Sequence, residues 1–192
     1  MHKISRPLAV TIILIISISV SLVFNTISEC SHRKLPLDEC KPIVDKYAEQ
    51  YNVPSYLVLA VIEVESEFDP AATSSAGACG LMQMTPKTFA WLTSSEHLGE
   101  NLTPDELFDP EVSIRYGTYY LKYLFTRFHN WDTVLAAYNG GEGNVKKWLN
   151  NPNYTDEEGN LTYIPFDETR AYVSKVEQKI NHYQTLYYNT KG

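Results

Sequence analysis

Two prolines bracket the segment that most restricts this chain. Between them, and on to Gln83, runs PSYLVLAVIEVESEFDPAATSSAGACGLMQ, residues 54–83. Pro54 suits the first turn of a helix, where a missing N–H costs nothing. Pro70 disfavours α conformation at Asp69, so the spacing predicts a helix that stops there. Residues three and four apart are neighbours on such a helix. Glu65 then lies among Val61, Ile62 and Phe68, on the face that holds Leu57 and Val58. Glu63 lies beside Leu59, Ala60, Ser66 and Glu67, and two like charges at that spacing need water. Glu65 is therefore the glutamate expected in apolar surroundings. Burial disfavours its ion, and the negative end of the helix dipole pushes the same way. A carboxyl kept protonated near neutral pH is what a general acid requires. Periodicity alone leaves two readings open: a poised acid, or a rim residue of an amphipathic helix.

The rest of the chain reads as helices joined by short loops. From Pro42 an apolar stripe runs through Ile43, Val44, Tyr47, Ala48 and Tyr51. Thr85-Pro86 is a cap followed by a first-turn proline, opening a helix through Phe89 and Trp91. Thr103 to Glu106 fits a capping box. Asp109-Pro110 starts the longest soluble helix, whose stripe of Val112, Tyr116, Tyr120, Leu124 and Phe128 reads as core. Asp132 is the expected cap of a short helix ending at Tyr138-Asn139-Gly140-Gly141, and Gly143 to Leu149 is another. Residues 150–166 are polar and irregular, a flexible loop or a flap beside a cleft. The last helix begins near Asp167 and carries Val173, Val176, Ile180, Tyr183 and Tyr187 inward. With no sustained alternating pattern and no internal repeat, the fold class is all-α.

Charge and cysteines exclude some functions. A net charge of −7 without any basic cluster argues against nucleic acid. No metal-ligand spacing occurs, and no cofactor is implied. Residues 1–24 place His2, Lys3 and Arg6 ahead of the uncharged run Leu8–Phe24. This layout predicts a signal anchor or a signal peptide. With positive charge preceding the run, the expected arrangement is a single-pass membrane anchor with the domain outside the cytoplasm, or a secreted domain if the segment is cleaved. Residues 25–40 read as a tether and 41–192 as the folded domain. Outside the cytoplasm Cys30 and Cys40 are candidates to pair. Cys79 then reads as a small buried thiol rather than a nucleophile.

Four blocks together resemble a known family. They are Glu65-Ser66-x-Phe68-x-Pro70, Ser74-Ser-Ala-Gly77-Ala-Cys-Gly80-Leu-Met-Gln83, Ala136-Ala-Tyr138-Asn139-Gly-Gly141, and Glu168-Thr169-Arg170-x-Tyr172-Val173. In order and spacing they resemble the catalytic domain of the soluble lytic transglycosylases, over roughly residues 42–187. Gly140 stands where that family usually has alanine. The resemblance implies a lysozyme-like fold, related to goose-type lysozyme, and a monomer acting on peptidoglycan glycan strands. It implies cleavage of the β-1,4 bond between N-acetylmuramic acid and N-acetylglucosamine, with Glu65 as the single acid and base and a 1,6-anhydro end as product. It places Ser66, Ser74, Gln83, Tyr138 and Asn139 near the catalytic carboxyl or the sugars, and Glu168 and Tyr172 beside the cleft. Met82, on the same loop, is an expected substrate-binding residue through apolar contact with a sugar ring, and Arg170 is expected to be structural, as an ion-pair partner. Goose-type lysozymes hydrolyse on the same fold, so a hydrolytic muramidase is the alternative, with Asp156, Glu157 or Glu158 as a second carboxylate. A glycan-binding module without turnover is the reading from a different class.

Overall fold

In the computed structural model, the described residues are Ser17, Ser19 and 34–187. The anchor reading of residues 1–24 and the Cys30 half of the cysteine pairing lie outside them. Among the described residues no helix is long and apolar enough to cross a membrane. The architecture is helical, without a named strand among the described residues. The elements are α1 (Leu37–Tyr51), α2 (Ser55–Ser66), α3 (Pro86–Leu92), a 3₁₀ turn (Pro104–Phe108), α4 (Pro110–Phe128), α5 (Trp131–Gly140), α6 (Glu142–Leu149) and α7 (Asp167–Tyr187).

Several boundaries differ from the sequence expectation. Helix α1 starts at Leu37, not at Pro42, which lies inside it. The acidic residues Asp38 and Glu39 occupy its first turn, where the helix dipole favours them. Cys40 is consequently a core residue and a free thiol, not a tether cysteine in a disulfide. Burial pushes its pKa up to about 12. Helix α2 stops at Ser66, before Asp69, because Glu67 and Phe68 both take left-handed backbone (φ 51° and 65°). The cap of α5 is Asn130, not Asp132: its Oδ1 accepts from the Thr133 N–H at 3.0 Å. Thr85 caps α3 and Asp109 caps α4, both as expected.

Six consecutive residues of α2, Leu57 to Ile62, are buried. A helix apolar on every side belongs in the interior. It packs along α7 and α1, while α5 packs against α4 and α7. The main core is built around α2 in this way. A smaller cluster of Met84, Phe89, Leu92, Leu107 and Tyr116 lies under α3 and the 3₁₀ turn. Tyr120 packs against both clusters, which places it at the seam between them.

Candidate active site

Helix α2 and its C-terminal cap residue present three glutamates to three environments. Glu67 is exposed and pairs with Lys34 at 2.6 Å. Glu63 is held by Lys179 at 2.5 Å and by the Tyr183 hydroxyl at 2.8 Å. Burial alone would raise its pKa, but those bonds outweigh it and hold Glu63 below the usual carboxylate range. Among the described residues Glu65 has no cation partner. It keeps a partial opening to solvent, yet burial pushes its pKa up to about 7. The Tyr172 hydroxyl opposes this by favouring the ion. That hydroxyl is buried and meets no acceptor in ordinary hydrogen-bond geometry, so its pull is weak and burial wins. Tyr138 also lies within the field of Glu65, and both tyrosines are pushed well above the ordinary phenol range by burial.

Residues 67–85 fold back to form a wall. Thr73 bridges to Cys79, and Cys79 to Met84. The Ser66 hydroxyl donates to the Leu81 carbonyl at 2.8 Å, which joins the end of α2 to the wall. Ser74 Oγ accepts from the Ala78 N–H at 3.0 Å and so shapes the turn. Gly80 has φ of 75°, and a Cβ there would lie 2.0 Å from the Leu107 carbonyl oxygen, so only glycine fits. Gln83 Nε2 donates to the carbonyls of Ala72 and Gly80 at 3.0 and 2.9 Å. With both amide hydrogens engaged, its side-chain oxygen is the atom left for a ligand.

Met82 differs from its assigned role. Its side chain is fully buried against Gly117 on α4, not in a cleft. The reason is the close approach that Gly117 permits. What Met82 offers is its carbonyl, which accepts from the Tyr138 hydroxyl at 2.8 Å. Tyr138 thereby connects α5, the wall and Glu65. A cavity of ≈190 Å³ opens there, lined by Gln83, Thr85, Thr88, Tyr120, Tyr138 and Asn139 among others. Asn139 is exposed at its edge. Glu168 is exposed in the first turn of α7, one turn ahead of Tyr172.

Tyr120, Thr85 and Thr88 escaped the sequence reading. The stripe at Tyr116, Tyr120 and Leu124 reads as core, but Tyr120 is only partly buried and faces Tyr138, ring centroids 5.4 Å apart. Consecutive tyrosines at 119 and 120 were the available signal, since neighbours on a helix cannot share one face. The 150–166 segment is no structureless loop. It closes through a Thr155–Leu161 bridge, and Asp156 is consumed in holding it, accepting from the N–H groups of Glu158 and Asn160. Arg170 donates to the Ile164 carbonyl and pairs with Asp167, tying that hairpin to α7, in line with the structural role expected of it. The Cys79 thiol donates to the Gly77 carbonyl at 3.4 Å.

Residues 42–160 match the family model described as the transglycosylase SLT domain. The soluble lytic murein transglycosylase of Escherichia coli (strain K12) is 36% identical over 134 residues, covering 68% of this chain and 21% of that protein. The membrane-bound lytic murein transglycosylase C of Pectobacterium atrosepticum is 32% identical over 190 residues, covering 88% of this chain and 51% of that one. The crystal structure of lytic transglycosylase Slt from Pseudomonas aeruginosa, an inactive glutamate-to-glutamine mutant, superposes with a TM-score of 0.68 at 32% identity. That match covers 76% of this chain and 24% of the other. The chain thus spans between about a fifth and a half of the length of these relatives.

Proposed function

The chain belongs to the transglycosylase SLT domain family, and on that premise we propose that it cleaves the β-1,4 bond between N-acetylmuramic acid and N-acetylglucosamine of peptidoglycan without water. Glu65, protonated, gives its proton to the glycosidic oxygen as that bond to C1 breaks. The resulting carboxylate takes the proton of the muramoyl C6 hydroxyl, whose oxygen bonds to C1. The product is a 1,6-anhydro end, and Glu65 finishes protonated. Gln83 and Asn139 hold sugar polar groups at the cavity, and Glu168 and Tyr172 act from α7. Ser66, Ser74 and Met82 act indirectly, by holding the wall against α2 and anchoring Tyr138.

One observation carries this reading. Glu65 is a buried carboxyl with a pKa near 7, and its electrostatic partners among the described residues are tyrosines, not a second carboxylate. Hydrolysis with two carboxyls needs both flanking the bond. Three other carboxylates have partners of their own: Asp69 Oδ1 accepts from the Ala71 N–H at 2.9 Å, Glu63 is paired, and Asp156 is bound within its own hairpin. The inactive glutamate-to-glutamine variant of the Pseudomonas aeruginosa relative supports an essential glutamate in such a domain. Mass analysis of muropeptides released from purified peptidoglycan tests the proposal. Anhydro ends are expected. Reducing muramic acid alone would mean a muramidase, and tight binding with no release a binding module.

The catalytic unit begins near residue 35, and residues 1–24 hold it at the cell membrane, outside the cytoplasm. The existence of both soluble and membrane-bound relatives makes either location compatible with the family. Fractionation of cells expressing the full chain, compared with a chain lacking residues 1–24, separates anchored from secreted. Monomer is the expected state, checked by light scattering of the chain without that segment.

A further inference from the structure

The end of the helical domain away from Glu65 carries a groove with aromatic walls. Helices α2 and α5 both begin there. At about 1.5 Å per residue, Tyr56 lies roughly 13 Å before Glu65 along α2, and Trp131 roughly 10 Å before Tyr138 along α5. Helix α7 brings Glu177 and Ile180 to the same end. Two cavities, of ≈640 and ≈370 Å³, share Pro54, Tyr56 and Trp131 as lining. They are two halves of one groove. Tyr56 and Trp131 are each partly exposed. Phe125 steadies the Trp131 ring, stacked on it with centroids 4.2 Å apart and planes at 25°.

The charges in this groove have one sign. Asp45 and Glu49 line the larger half, and Asp132 and Glu177 the smaller. Among the described residues no lysine or arginine lines either half. Lys41 reaches Asp45 at 2.5 Å, from one turn away on α1, and offsets one of the four charges. Asp132 is exposed and takes no part in capping α5, since Asn130 does that. Burial first, and then the charge of Asp132, hold the Glu177 carboxyl above its ordinary value. A cation set beside the two would relieve that repulsion. The ≈580 Å³ cavity beside Glu63 and Glu67 differs, because Lys179 and Lys34 answer those two glutamates. The acidity of the groove is therefore more than the net charge of −7 spread over a surface.

Flat rings bordered by carboxylates suit lysine and arginine. Their methylene stems pack on apolar surface, their cationic heads are drawn to ring faces, and carboxylates accept their N–H groups. Each half of the groove has its own pair of carboxylates, so the two halves suit two such side chains astride Tyr56 and Trp131. We propose that this groove docks a basic peptide segment of a protein partner, with one lysine or arginine in each half. The docking goes beyond the glycan-cleaving function and does not depend on it. With the groove at the far end from Glu65, a docked partner leaves the cleft open and positions the enzyme without blocking it.

The test uses the full chain and a fluorescein-labelled, end-capped peptide in which two alanines separate two arginines, followed by anisotropy. Binding is expected, and it should weaken as salt is raised. The same peptide with glutamates in place of the arginines should not bind. Asp132→Asn combined with Glu177→Gln should weaken binding about tenfold, equivalent to ~1.4 kcal/mol. Glu157→Gln combined with Glu158→Gln removes the same charge elsewhere and should leave binding unchanged. Trp131→Leu, with circular dichroism unaltered, should weaken it through loss of the ring face. No binding of the arginine peptide, or equal losses from the two paired substitutions, would overturn the groove. In a Glu65→Gln background, glycan strands that keep their peptides should not displace the probe. Displacement would give the groove to amino groups of the substrate and overturn the protein partner. The arginine peptide should leave the rate of peptidoglycan cleavage unchanged, and inhibition would place it in the cleft instead. A chain that cuts nothing counts against the catalytic reading alone, because the anisotropy results stand without turnover.

Discussion

At the scale of a residue, the site depends on one carboxyl held where its ion is poorly solvated. Glu65→Gln should lower kcat by about 10²–10⁴-fold, the usual contribution of general acid–base catalysis, with circular dichroism unchanged. On the proposed mechanism the protonated form is the active one, so kcat/KM should fall as pH rises through about 7. Removing the Tyr172 hydroxyl deletes the group that favours the ion. Tyr172→Phe should therefore move that alkaline limb to higher pH, by a small amount because the bond is poorly formed. A limb that moves down would refute the assignment. The apolar surroundings of Glu65, unlike those of Glu63 and Glu67, were legible in the sequence, because helical spacing alone separates an apolar face from a mixed one. The depth of Met82 was not. A motif of consecutive letters carries no information about which side chain turns inward, and here the answer lies in another helix.

At the scale of elements, that other helix is α4, and Gly117 is the contact point. A Cβ at 117 would lie 2.3 Å from Met82 Sδ and 2.7 Å from its Cβ. Alanine gains up to about 1 kcal/mol in helix propensity, but overpacking of this kind costs ~1–3 kcal/mol. Gly117→Ala should lower Tm by several degrees and reduce kcat, because displacing Met82 moves the carbonyl that anchors Tyr138. A stable, fully active variant would contradict this. Asn130→Ala should cost about 1 kcal/mol in thermal unfolding, whereas Asp132→Ala should cost little. The sequence reading assigned the cap to Asp132 because both residues are good caps and sit two positions apart. Only backbone conformation, extended at Asn130, decides between them. Pro42 misled in the same manner. Proline marks first turns so often that one inside a helix hides the true start at Leu37.

At the scale of the whole molecule, carboxylates act on stability with opposite signs. Glu63, Glu67, Glu100 and Glu111 are held below their ordinary values by cations and hydroxyls. Their contribution is present above about pH 4.5 and is lost as pH falls through their lowered values. Glu65, raised to about 7, works the other way: stability falls as pH climbs from 4.5 towards 7. At about 1.4 kcal/mol per unit the ceiling is ~3 kcal/mol, and partial exposure reduces it. Tm measured from pH 4 to 8 should pass through a maximum on the acid side of neutrality. Glu65→Gln should flatten the descent, and an unchanged descent would show that Glu65 is not its source. The helical class and the order of elements were legible from periodicity, while the seam between two cores was not, because Tyr120 serves both. The cleft is also divided by distance along the chain. Ser66 reaches Leu81 and Gln83 reaches Ala72, all within one short stretch, but Tyr138 and Tyr172 come from far downstream. During synthesis Glu65 is an ordinary solvated carboxyl, with an ordinary acidity. It becomes a neutral-pH acid only after α5 and α7 close over it. A chain in which α5 and α7 have not yet packed therefore lacks that acid, and under the proposed function it would be unable to cut.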